Sequence, residues 1–165
     1  MNDNHFSSED KRYQLILRKH ALKIILDECT KSGKSETGGV MVGYYSDELD
    51  QAIVTEVSKK PDDSKSSGFT FVRGAKGLLN FFKNIWPYRR YYLGEWHFHP
   101  FAKPNPSGDD FEAIKEIKVN PNYDCKIPLL LILGGNPNKQ YQIRSFACGK
   151  NSKIIELQKQ DIPFL

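Results

Sequence analysis

Residues 127–133 read IPLLLIL. An apolar run of this length, with a proline near its start, is a buried strand, and the rest of the chain must cover it. Residues 40–45 and 52–57 (AIVTEV) read as further strands. Gly38 and Gly39 stand at the start of the first and allow close backbone approach. Residues 69–72 and 91–99 alternate like strands, and residues 141–146 form another. Helical spacing runs from Leu15 through Leu22, Ile25 and Leu26 to Cys29, with Gly33 as its stop. A second helix is expected over 75–86, with Leu78, Leu79, Phe82, Ile85 and Trp86 on its apolar side and Pro87 at its end. Ser107 opens a third that continues to about Val119. The stretch KIIELQ near the C-terminus reads as a short terminal helix. Residues 1–10 are polar and expected to fray, and residues 58–68 form a long polar loop. Helices before, within and after the strands make the class mixed α/β, with the strand order left open by pattern alone.

The length, 165 residues, suits one domain over 1–165 with a real core. The 24 basic and 20 acidic side chains leave a net charge of +4. That is mild and scattered, which argues against a nucleic-acid partner. The aromatic and basic stretch WPYRRYY (86–92) reads as the close of a helix and the start of a strand rather than a base-stacking surface. No apolar run approaches the ~20 residues of a membrane helix, and the N-terminus lacks the apolar core of a signal peptide. Cys29, Cys125 and Cys148 are far apart and odd in number, so they read as reduced, partly buried thiols in a cytoplasmic protein.

The chemistry concentrates in GEWHFHPFAKPNPSGDDFEAI, residues 94–114. Strand alternation points His97 and His99 to one face, with Phe98 opposite. Two parallel imidazoles can supply two corners of a tetrahedral metal site. Downstream, Ser107 is a helix N-cap and Asp110 sits in the first turn, where the helix dipole favours an anion. A carboxylate fixed there is also well held for ligation. A His₂Asp set with an open fourth position is the layout of a catalytic zinc site. Four acids are candidates for the base: Glu36, Glu95, Asp109 and Glu112. Alternation places Glu95 on the histidine face, whereas Glu36 is too remote for spacing to bring it near.

Glu36 followed by TGGVMVG, then HFHP (97–100) and PSGDD (106–110), resembles the JAMM (JAB/MPN) metalloprotease family. Its pattern is an upstream glutamate, H-x-H-P, ten residues, and an aspartate closing P-S-x-x-D. The resemblance implies a curved mixed β-sheet flanked by helices, in the JAB/MPN, cytidine-deaminase-like architecture. It also implies Zn²⁺ held by His97, His99 and Asp110, Glu36 as general base, and Ser107 as an oxyanion stabiliser. The residue between the histidines is usually serine or threonine in the family; here Phe98 could reshape the cleft without touching ligation. Glu95 and Trp96 look more like stand-alone bacterial members, and Glu95 could support a ligand histidine from behind.

The implied activity is zinc-dependent hydrolysis of a peptide or isopeptide bond. Among family members, the chain most resembles the deconjugating peptidase of antiviral CBASS operons. The implied partner is then a protein substrate, a conjugate made through the C-terminal tail of a nucleotidyltransferase. Processing of sulfur-carrier precursors, or protein binding by a non-catalytic MPN scaffold, are the alternatives. A single metal site and weak charge speak against a phosphoesterase or nuclease.

Overall fold

A computed structural model describes residues 2–48, 51–67 and 70–161. Its elements, in chain order, are β1 (Asn4–Ser7), β2 (Gln14–Leu17), α1 (Lys19–Ser32), β3 (Thr37–Tyr45), β4 (Gln51–Val57), β5 (Lys65–Ser66) and β6 (Phe71–Val72). Then come α2 (Leu78–Ile85), β7 (Tyr91–Pro100), α3 (Gly108–Val119), β8 (Leu129–Gly135), β9 (Tyr141–Cys148) and β10 (Ile154–Gln160). Mixed α/β is therefore the class observed. The large sheet differs from the curved one expected. Its strands close into a barrel in the order β1-β10-β9-β8-β7-β3-β4-β2. It is mixed, since β2 and β4, and β7 and β8, pair in parallel while the other ladders are antiparallel.

Closure depends on β1, within a segment expected to fray. Its backbone pairs with β10 on one side and β2 on the other, and Phe6 is buried. The helix expected from Leu15 also begins later. Leu15 and Leu17 alternate into the core while Gln14 and Ile16 do not, so 14–17 pair as a strand beside β4. The helix then starts at Lys19 and ends at Gly33, whose φ of 61° suits a residue without Cβ. KIIELQ is likewise a strand, since β10 takes its hydrogen bonds from β9 and β1. The second helix is shorter than expected. Asp63 accepts hydrogen bonds from the Ala75 and Lys76 amides, which holds that stretch in a turn. Trp86–Tyr88 winds on as a 3₁₀ turn, and Leu79 and Trp86 are exposed rather than part of the apolar side. Of the strand expected over 69–72, Phe71 and Val72 pair with Lys65 and Ser66, inside the segment read as polar loop, and Phe69 lies outside the described residues.

Strand parity divides the sheet. Met41, Trp96, Phe98, Leu129, Leu131 and Leu133 join α1 residues Leu22, Ile25 and Cys29 in the main core. On the other face, Val40 and Val42 pack under Leu78 and Ile85 of α2. Leu130 and Ile132 pack on the same side under Ile114 of α3. Phe98 is therefore a core residue and does not reshape a cleft. All three cysteines are free thiols and buried. Among the described residues no helix is long and apolar enough to cross a membrane.

Candidate active site

The outward face of β7 carries Glu95, His97 and His99 into the space between α2 and α3. Antiparallel pairing sets Gly38 of β3 against His97 and Thr37 against Phe98. Glu36, one residue earlier, thereby reaches His99, with Oε1 4.0 Å from Nε2. The Glu36 amide donates to the Ser67 carbonyl at 2.9 Å, which ties it to the β5–β6 hairpin. A side chain at Gly38 would meet the Phe71 ring at 2.6 Å, so only glycine lets that hairpin lie over the strand. Phe71 in turn stands edge-on to His97, ring centroids 5.5 Å apart.

Asp110 arrives from α3. The Ser107 hydroxyl accepts from the Asp110 amide at 3.1 Å, while Asp110 Oδ2 accepts from the Ser107 amide at 2.7 Å and its hydroxyl at 2.8 Å. This reciprocal cap fixes the carboxylate. Its free oxygen, Oδ1, lies 2.9 Å from His97 Nδ1. The side chains of Glu36, His97, His99 and Asp110 are 14, 11, 14 and 12% exposed. The four residues singled out as base and ligands therefore converge, and Ser107 borders them.

The other acids separate. Glu112 pairs with Lys115 at the surface, and Asp109 stands on the wall of a cleft. Glu95 is buried behind His97, its Oε1 taken by Arg73 Nε at 2.7 Å and by the Tyr92 hydroxyl at 3.2 Å. Its Oε2 lies 3.8 Å from His97 Nε2. Arg73, Tyr92 and Phe71 were not singled out above. No spacing links Arg73 to Glu95, and only the fold brings them together.

The electrostatics follow from this packing. Burial opposes a charged His97, but the hydrogen bond to Asp110 and the negative charges of Asp110 and Glu95 outweigh it and push its pKa up to about 9. Burial would raise Asp110, yet its bonds from His97 and Ser107 bring it down to about 2. Glu36 is raised, first by burial and then by the charge of Asp110, with His97 pulling the other way. Burial lowers His99, and the charge of His97 adds to this against that of Asp110. Buried thiols are pushed up, Cys125 to about 12 by desolvation, so no cysteine is poised as a thiolate.

Among the described residues no group of three or more His, Cys, Asp or Glu is arranged as a metal cage. His97 and Asp110 are instead bonded to each other. The donor chemistry nevertheless fits zinc: two imidazoles and one carboxylate, preorganised by a strand and a helix cap, beside a further carboxylate. A cleft of about 370 Å³ opens beside them, between Phe71–Arg73 and the α3 wall at Asp109, Ala113 and Glu116, with Glu95 and His97 at its base.

The family model "Prokaryotic homologs of the JAB domain" matches residues 18–149. A protein named CD-NTase/cGAS isopeptidase, from Enterobacter hormaechei subsp. hoffmannii (strain UCI 50), is 36% identical over 159 residues, covering 96% of this chain and 88% of that one. A probable metalloprotease, y4qB of Sinorhizobium fredii (strain NBRC 101917 / NGR234), is 23% identical over 134 residues, covering 70% and 73%. In fold, the solution structure of protein DSY2949 from Desulfitobacterium hafniense superposes with a TM-score of 0.63 at 20% identity, over 89% and 90% of the two chains.

Proposed function

The chain belongs to the family of prokaryotic JAB-domain homologues, and we propose that it is a zinc-dependent isopeptidase that releases a protein from the amine to which its C-terminal tail has been joined. The observation that carries this reading is the meeting of Glu36, just before β3, with His97 and His99 of β7 and Asp110 of α3. His97, His99 and Asp110 would hold the metal. Bound there, zinc supplies Lewis acidity, polarising the scissile carbonyl and easing ionisation of water.

Glu36 is the proton acceptor. Its carboxylate stands free of any lysine or arginine partner among the described residues, beside His99. Partial burial makes it a better base than an exposed glutamate. It takes the proton of the attacking water and delivers it to the leaving nitrogen. Ser107 holds Asp110 in place, and its hydroxyl can serve a developing oxyanion by exchanging Asp110 for the substrate oxygen. No acyl-enzyme is needed, because a water is the nucleophile; the thiols are buried, and the Ser107 hydroxyl is engaged in the cap with Asp110.

The cleft runs beside β6, which pairs only with β5 among the described residues. An extended tail laid there adds a strand, with main-chain bonds giving affinity and the α3 wall reading side chains. The relative named as a CD-NTase/cGAS isopeptidase supports a nucleotidyltransferase as the conjugated protein, as in antiviral CBASS operons.

Purified protein should hold about one zinc per chain, and His97→Ala or Asp110→Asn should lose it by elemental analysis. Fusions ending in the nucleotidyltransferase tail should be cut directly after that tail, with cutting abolished by a chelator and restored by zinc. Cutting of sulfur-carrier fusions alone would redirect the substrate. Zinc-loaded protein that cuts nothing would leave a binding scaffold.

A further inference from the structure

The buried pair of Arg73 and Glu95 takes no part in the steps above. Their side chains are 13% and 9% exposed. Arg73 spends Nε on Glu95 Oε1 at 2.7 Å, Nη1 on the Gly74 carbonyl at 2.8 Å and Nη2 on the Tyr123 hydroxyl at 3.1 Å. Tyr92 gives the same Glu95 oxygen a second donor at 3.2 Å. One carboxylate oxygen is thus satisfied twice. The other, Oε2, faces His97 Nε2 at 3.8 Å.

His97 consequently lies between two carboxylates, one at each ring nitrogen. Nδ1 meets Asp110 at 2.9 Å and Nε2 turns to Glu95. Only Asp110 belongs to the proposed ligand set. An imidazole that ligates through one nitrogen carries its proton on the other, and the acceptor of that proton fixes both tautomer and ring angle. We propose that Glu95 is a positioning residue that accepts the Nε2 proton of His97 and leaves the Nδ1 lone pair facing Asp110 for the metal, while Arg73 and Tyr92 hold Glu95 in place.

This rests on the metal-site reading given above. At 3.8 Å the contact is an ion-pair distance rather than a made hydrogen bond, so it must tighten when Nδ1 exchanges Asp110 for a metal. The role explains why a charge pair is buried here at all. A carboxylate behind His97 without a cation would be uncompensated in a dry site. Among the described residues, the one guanidinium that reaches it comes from the β6–α2 connection.

The test measures zinc affinity against a chelating dye for the whole chain and for Glu95→Gln, Arg73→Met and the double variant, with melting of each zinc-free protein followed in parallel. Glu95→Gln should weaken zinc by about 10–100-fold. Arg73→Met should weaken it less, and the double variant should bind no more weakly than Glu95→Gln alone, since Arg73 acts through Glu95. Ring ¹⁵N shifts of the zinc-loaded wild type should show a protonated His97 Nε2, a signature that a purely structural role would not produce. A metallated Nε2, or Glu95→Gln affinity within about twofold of wild type, overturns the proposal. Additive losses in the double variant overturn the part given to Arg73. If Glu95→Gln does not fold, Tyr92→Phe removes one bond to Glu95 and should give a smaller loss in the same direction; unchanged affinity there also overturns it. A wild-type chain that takes up no zinc instead refutes the proposed function itself.

Discussion

The two faces of β7 are built from alternate residues of one decapeptide and behave as different materials. Trp96 and Phe98 have no exposed surface and are locked among the leucines of β8 and α1. Glu95, His97 and His99 are nearly as buried, yet apart from Phe71 the groups they face are polar or charged. The inner face is held by contact area, which is indifferent to proton or metal. The outer face is held by charges that have lost water and found partners, and its state changes whenever a proton or metal moves. Neighbouring side chains along one strand can therefore be altered with separable consequences.

Phe98→Ala should break the inner face. A cavity in place of a fully buried ring costs about 3–5 kcal/mol, read as a lower melting temperature of the chelator-treated protein, with zinc stoichiometry kept below the transition. A variant that melts normally but changes KM would mean that Phe98 does act on the cleft. Glu36→Ala should do the reverse. Loss of a positioned base costs ~10²-fold or more in turnover, with zinc content and melting unchanged. Normal turnover in Glu36→Ala beside an inactive Glu95→Ala would move the base to Glu95.

A smaller effect sharpens the same contrast without a mutation of the core. In the zinc-free protein, the His97 pKa is raised from the ordinary 6.5 to about 9 by its two carboxylates, against its burial. Its contribution to stability is then fully present below pH 6.5 and is lost as pH rises through about 9. The stability of chelated protein should fall over that range by on the order of 3 kcal/mol, and the slope should vanish in His97→Ala. A flat profile in the unmodified protein would show that His97 is not held between charges. The zinc-loaded protein should respond in the opposite sense, because ligation needs His97 without its proton.

Much of this was legible in the chain. Period-two alternation read β7 correctly, and Ser107 with Asp110 three residues on announced a helix cap and its carboxylate. These are local signals, set by neighbours in sequence. Glu36 was assigned only through the family resemblance, because what brings it to His99 is a ladder between strands about sixty residues apart. Arg73 had no signal at all. β2 and β10 were mistaken for helix because four to seven residues with two or three apolar positions fit either period, and only pairing partners decide. β1 reads as too polar to order, since one apolar side chain, Phe6, and the backbone bonds to β2 and β10 hold it.

That strand also bears on how the molecule comes into being. His5 pairs with Gln160, so the barrel's seam joins the two extremes of the described chain. Such a contact carries the largest loop-closure cost the chain can offer and is among the last to form. β3, β7, α3 and β8 lie between the extremes and touch without the seam. On the ribosome, the histidines can therefore find Glu36 and Asp110 while the barrel is still open, and closure follows only once β10 has emerged.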